Sequence, residues 1–123
     1  MKNSCGHRIL IVDDLADNLL LMQIFLEGEG YQVDTAAGGW EALEKTASCL
    51  PDLILLDVMM PDMDGYEVTR RIRKNKHLPN VPILLITAHH EIDPAEGLQR
   101  GADGFVYKPV DLDELLTNVR AFC

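Results

Sequence analysis

The sequence predicts an α/β domain built as an open, doubly wound parallel sheet of five strands. Three observations carry this. Short apolar runs alternate five times with longer amphipathic stretches, with no internal linker or low-complexity segment. The first, third and fourth runs are apolar throughout rather than alternating, as expected of strands buried on both faces between helical layers. The chain has 123 residues, the usual size of one domain and roughly half of what a closed eight-stranded barrel needs. Residues 1–123 therefore read as a single domain with its core from about 7 to 122.

The elements follow in order. Arg8 to Val12 is the first strand. A helix runs from about Leu15 to Glu27 and is stopped by Gly28 and Gly30, since glycine is the usual residue past a helix end. Gln32 to Ala36 is a short strand, Gly39 to Cys49 a helix, and Pro51 marks the next turn. Leu53 to Asp57 is the third strand, and Asp64-Gly65 opens a helix reaching about Lys74. Pro82 to Thr87 is the fourth strand. Asp93-Pro94 forms a cap and first turn for a short helix ending at Gly101. Gly104 to Tyr107 is the fifth strand, and Asp111 with Glu114 three residues on caps the last helix.

Composition narrows the class. Eleven Lys and Arg face 20 Asp and Glu, a net charge of −9, so direct nucleic-acid binding, which draws on Lys and Arg against phosphates, is not expected. Cys5, Cys49 and Cys123 are far apart and form no metal-binding or CxxC spacing. Free thiols suit a reducing compartment, so a cytoplasmic location is expected. No apolar run approaches a membrane span, and the first residues lead into no signal-peptide core. The adjacent His89 and His90 read as loop surface. The first helix is unusually apolar: Leu15, Leu19, Leu20, Leu21, Met22, Ile24, Phe25 and Leu26. A surface helix needs one apolar stripe, so some of these should face outward and offer a docking surface for another helix.

In an open parallel sheet the site lies beyond the carboxyl ends of the strands. Asp13 and Asp14 follow strand one, Asp57 ends strand three, Thr87 ends strand four, and strand five leads into Lys108-Pro109. Asp14 alone could be read as a helix cap. Three carboxylates converging with a hydroxyl and an ammonium need another explanation. At ~4 Å and an effective dielectric of about 20, each like-charged pair costs roughly 4 kcal/mol. Lys108 supplies one offsetting charge, and a divalent cation supplies the rest; all-oxygen ligation suits Mg²⁺. A hard metal beside a carboxylate nucleophile, with a lysine and a hydroxyl nearby, is equipment for phosphoryl transfer.

The segments Ile-Leu-Ile-Val-Asp13-Asp14, Leu-Leu-Asp57-Val-Met-Met-Pro61-Asp-Met-Asp64-Gly65, Ile-Thr87-Ala88 and Gly101-Ala-Asp-Gly-Phe105-Val-Tyr-Lys108-Pro109 closely resemble the response-regulator receiver family of two-component signalling, from about His7 to Phe122. The resemblance implies a flavodoxin-like (βα)5 fold with strand order 2-1-3-4-5, the order shared by chemotaxis receivers. It implies that Asp57 is the phosphoacceptor. Asp13, Asp14, Asp57 and the carbonyl of Met59 hold Mg²⁺. Lys108 pairs with the phosphoryl group, Thr87 is the switch hydroxyl, and Phe105 is the switch aromatic. Tyr107 falls at the wrong place for that last role and is expected to be packed or partly exposed. The Lys108-Pro109 bond is usually cis in the family, which X-Pro energetics permit. Met59 and His89 are the two variable positions that influence phosphoryl lifetime. The implied partners are a histidine kinase or phosphotransfer protein, whose helical bundle meets the first helix. A homodimer through the helix from Asp93, the fifth strand and the last helix is a further arrangement the resemblance allows.

The implied function is a signalling receiver that catalyses its own phosphorylation and dephosphorylation, not turnover of an external substrate. Two alternatives stand beside it. A Mg²⁺-dependent aspartyl-phosphate hydrolase of the haloacid-dehalogenase type expects Asp-x-Asp after the first strand, where this chain has adjacent acids. A phosphorylation-independent docking module would not need the full acidic set. A nucleotide site lacks its glycine-rich loop. The chain is readable as a stand-alone regulator or as a piece of a longer one.

Overall fold

The computed structural model describes residues 7–88 and 101–122. The helix expected from Asp93 to Gly101, the pair His89-His90, and Cys5 and Cys123 lie outside these residues. The elements are β1 (Arg8–Val12), α1 (Ala16–Gly28), β2 (Gln32–Ala36), α2 (Gly39–Ser48), β3 (Leu53–Asp57), α3 (Gly65–Lys74), β4 (Ile83–Ala88), β5 (Gly104–Lys108) and α4 (Leu112–Phe122). The strands form one sheet in the order β2-β1-β3-β4-β5. All four neighbouring pairs are parallel. The doubly wound sheet and its order match the expectation.

Alternation along each central strand decides which layer a side chain joins, because successive residues point to opposite faces. Leu10, Val12, Ile54, Leu56, Ile83 and Leu85 pack toward Ala42 of α2 and Val68 and Ile72 of α3. Ile9, Ile11, Leu53, Leu55, Leu84 and Ile86 pack toward Met22 and Leu26 of α1 and Leu115 and Val119 of α4. Both faces are covered, which is why these strands read as unbroken apolar runs. Each such side chain stabilises the fold by roughly 1.5–3 kcal/mol through burial. That rigid sheet fixes the positions of the strand ends.

Several element ends differ from the sequence expectation by one residue, and the reasons are local. Gly28 was expected to stop α1 but is its last residue. The turn is made at Gly30, whose φ of 100° favours glycine. Tyr31 N–H donates to Leu26 O and Gly30 N–H to Glu27 O, the paired bonds of a Schellman motif. Leu15 is extended and caps α1 rather than joining it. Cys49 is likewise the C-cap of α2. Strand β4 begins at Ile83, one residue past Pro82, and runs to Ala88, where it still pairs with Lys108. At the start of α4 the carboxylate of Asp111 accepts from Asp113 N–H and Glu114 N–H at 2.9 and 3.2 Å, the expected cap.

Candidate functional site

Parallel pairing brings the carboxyl ends of β1, β3, β4 and β5 to one edge of the sheet, and the polar residues of the sequence motif gather there. Asp13, Asp14 and Asp57 each place a carboxylate oxygen within 4.8 Å of the others. Asp13 and Asp57 are buried, at 1% and 2% exposure, while Asp14 is exposed. Lys108, the last residue of β5, reaches across β4 to put its Nζ 3.2 Å from Asp57 Oδ1. Burial pushes the Asp57 carboxyl above its ordinary value, and the Asp13 charge adds to this. The Lys108 ammonium and the Met59 backbone N–H oppose it without cancelling it.

The donor set fits a hard divalent cation. Three carboxylates with converging oxygens and one compensating lysine leave local negative charge to be neutralised. Asp13 is held in place from both sides: Leu15 N–H donates to its Oδ1 at 2.9 Å, and Asn18 Nδ2 to its Oδ2 at 3.3 Å. Asn18 did not stand out in the sequence, because an amide five residues past an acid carries no motif of its own.

The loop from β3 to α3 is shaped by Gly65. Its N–H donates to Val58 O at 2.8 Å. A Cβ on Gly65 would meet the carbonyl oxygen of Asp57 at 2.7 Å and the Cα of Val58 at 2.9 Å, so glycine is needed for close approach. Asp64 caps α3 by accepting from Glu67 N–H at 2.9 Å. Met59 stands 58% exposed at the outer side of this loop. Asp62, a second residue the sequence did not single out, accepts from Gly39 N–H and Trp40 N–H across the loop.

Thr87 is fully buried, and its Oγ1 donates to Ala88 O at 3.3 Å. Its register partner on β5 is Tyr107, and Phe105 pairs with Leu85 two residues further down both strands. Phe105 is half-buried against the core layer that includes Leu85. Its ring stacks on that of Tyr107 with centroids 6.3 Å apart. The Lys108-Pro109 peptide is cis. His89 lies outside the described residues.

Beside Asp13 a cavity of about 300 Å³ is lined by Asn18, Leu21 and Met22 of α1 and by Lys108, Pro109 and Val110. Next to it α1 exposes Leu20, Leu21 and Ile24 at 55%, 56% and 61%. Their spacing of three and four residues puts them on one face. This is the outward apolar face that the composition of the helix led one to expect. None of the helices in the described residues is long and apolar enough to cross a membrane.

The model of the response regulator receiver domain matches residues 9–120. The chain is 44% identical over 115 residues to response regulator PleD of Caulobacter vibrioides, covering 93% of this chain and 25% of that protein. It is equally 44% identical over 115 residues to the alkaline phosphatase synthesis transcriptional regulatory protein PhoP of Bacillus subtilis, covering 47% of it. The chain thus spans between a quarter and a half of these two relatives. Among solved structures, chemotaxis protein CheY4 of Vibrio cholerae superposes with a TM-score of 0.88 at 33% identity, covering 97% of this chain and 100% of that one. A two-component response regulator from Clostridium difficile gives 0.86 at 32% identity, covering 94% of both chains.

Proposed function

Because the chain belongs to the response regulator receiver domain family of two-component systems, we propose that it accepts a phosphoryl group on Asp57 from a histidine kinase or phosphotransfer protein and changes its surface in response. The single observation that carries this reading is the meeting of Asp13, Asp14, Asp57 and Lys108 at one edge of the sheet.

Asp57 is the nucleophile. One carboxylate oxygen attacks phosphorus in line, the bond to the donor imidazole nitrogen breaks, and that nitrogen keeps the electron pair and regains a proton from solvent. Burial raises the Asp57 pKa, but Lys108 and the Met59 N–H hold it toward the charged form the attack needs. Asp14, Asp57 and the Met59 carbonyl would hold Mg²⁺, with Asp13 close by. When bound, the ion neutralises charge on the phosphoryl oxygens. Lys108 then transfers its contact from the carboxylate to a phosphoryl oxygen. Return to the resting state is hydrolysis, in which water attacks phosphorus and the Asp57 carboxylate is released.

The switch is a movement of Thr87. Its hydroxyl turns from Ala88 O toward a phosphoryl oxygen, and the space it leaves beside β5 lets the Phe105 ring turn inward from its contact with Tyr107. Phe105 has no hydroxyl to anchor it outside. Moving such an element from about 1:99 to 99:1 takes roughly 5.5 kcal/mol. One charge-assisted hydrogen bond supplies about 1.5–3 of this, so the new Lys108 contact must add to it. The apolar face of α1 and its adjoining cavity support docking of a helical phosphodonor beside Asp57.

The test is incubation of the protein with acetyl phosphate, read by intact mass. One added phosphoryl group, with none added when Mg²⁺ is chelated beforehand, is the expected result. Uptake that ignores Mg²⁺, or no uptake from acetyl phosphate or a phosphohistidine donor, would overturn the reading.

A further inference from the structure

The β3–α3 loop carries Met59, and little core holds its outer side: Met59, Pro61, Asp62 and Asp64 are all exposed. Met60 and Met63 of the loop turn into the core layer, and the Asp62 carboxylate reaches across to the start of α2. Oδ1 accepts from Gly39 N–H at 3.1 Å, and Oδ2 from Trp40 N–H at 3.2 Å. These N–H groups open α2, where the helix offers them no carbonyl. The N-cap of α2 is Gly38, which has no side chain to serve them. Asp62 therefore caps α2 from another loop, 22 and 23 residues away in sequence.

The glycines clear the way for this. Gly38 has a φ of −174°, an extended backbone that any residue adopts, so its small size is not a conformational need. A Cβ there would meet both Asp62 carboxylate oxygens at 2.9 Å. At Gly39 a Cβ would meet Met63 Cβ at 2.7 Å and Val68 Cγ2 at 3.0 Å. The Arg71 guanidinium, 4.8 Å over the Trp40 ring, fastens α2 to α3 as well. The other end of the same segment meets the opposite wall of the site: Ala36 O accepts from Asp13 N–H at 3.2 Å. Residues 36 to 40 thus tie Asp13 to the loop that carries Met59.

We propose that Asp62 is a positioning residue for the metal site: by anchoring the β3–α3 loop to the start of α2, it fixes the Met59 carbonyl relative to Asp13, Asp14 and Asp57. The proposal rests on the function proposed above. A plain helix cap would affect stability alone. A positioning residue also sets metal affinity, and loss of such an outer partner typically weakens a metal by about 10- to 100-fold.

The experiment is calorimetric titration of the whole chain with Mg²⁺, together with the metal-free amide shift of Met59. Asp62→Ala should weaken Mg²⁺ by about tenfold or more and move the Met59 amide before any metal is added. Asp62→Asn, which keeps one acceptor oxygen but turns an NH2 toward the other N–H, should fall between wild type and Asp62→Ala in both. Gly38→Ala should behave as Asp62→Ala does, and the two combined should cost no more than one, because they break the same contact. If Asp62→Ala unfolds, Asp62→Asn and Gly38→Ala still decide. Wild-type Mg²⁺ affinity in a destabilised Asp62→Ala would reduce Asp62 to a cap. Loss of Mg²⁺ affinity in Asp62→Asn as large as in Asp62→Ala, with the Met59 amide left where it is in wild type, would make it a charge effect. Either result overturns the proposal while leaving the metal site intact; a wild-type chain that binds no Mg²⁺ would instead remove the function on which it rests.

Discussion

Lys108 Nζ lies 3.2 Å from Asp57 Oδ1, an ion pair between the last residues of β5 and β3. The lysine side chain is a third exposed and the carboxylate almost fully buried. Removing the lysine leaves a buried acceptor beside Asp13 with less to compensate it. Lys108→Met should therefore cost the metal-free protein about 1–3 kcal/mol. Saturating Mg²⁺ should recover part of the loss, since the ion neutralises the same carboxylates. Urea unfolding with and without Mg²⁺ measures both; an equal loss in the two conditions would mean that the pair does not serve to balance the acids.

Gly65 tests the turn beneath the acceptor. A methyl group there meets the Asp57 carbonyl and Val58 Cα, both rigid backbone atoms. Gly65→Ala should destabilise the fold by about 1–3 kcal/mol and slow phosphoryl uptake by displacing Asp57. Wild-type thermal stability together with a wild-type uptake rate would show that the close approach has no consequence.

The pH dependence of stability has a marker away from the site. Glu67 pairs with Arg70 and Arg71 on α3, and their guanidinium groups hold its carboxyl down from the ordinary 4.5 to about 2. A depressed carboxyl binds its proton later in the folded chain than in the unfolded one. Its contribution is therefore complete above about 4.5 and is lost as pH falls toward about 2. The stability difference between wild type and Glu67→Gln should shrink over that window, and 1 M salt should reduce it at neutral pH. A difference unchanged from pH 6 to pH 2 would contradict the assignment.

Thr87→Ala separates chemistry from switching. The variant should still take up phosphate on Asp57, because Thr87 donates to Ala88 and forms no part of the acidic cluster. Its response should be weak. Amide shifts of residues 101–122, with and without a beryllofluoride phosphate mimic, report this directly. Shifts as full as in wild type would remove the hydroxyl from the coupling.

The sheet, its layers and the polar strand ends were legible because they depend on side-chain type. Ile9 to Val12 and Leu53 to Leu56 can be unbroken apolar runs only if both faces are covered. Asp13, Asp57 and Lys108 sit where such strands end. What escaped depends on backbone groups or on distant partners. Gly28 and Gly30 look alike in sequence; only the bond from Tyr31 N–H to Leu26 O selects Gly30 for the turn. Asp62 does not stand out in the sequence, since its partners are the backbone N–H groups of Gly39 and Trp40, which no residue type announces. Asn18 was hidden for a related reason, because it acts by holding Asp13.

The central claim is that Asp57 alone accepts the phosphoryl group. Asn at this position keeps the shape of the side chain, removes the nucleophilic carboxylate, and relieves a buried charge that already sits above its ordinary pKa. The variant should be folded and, without metal, more stable than wild type at neutral pH. The most direct measurement is intact mass of wild type and Asp57→Asn, side by side, after incubation with Mg²⁺ and acetyl phosphate. One phosphoryl group on the wild type and none on Asp57→Asn is the predicted result; labelling of the folded variant at the wild-type rate would contradict it.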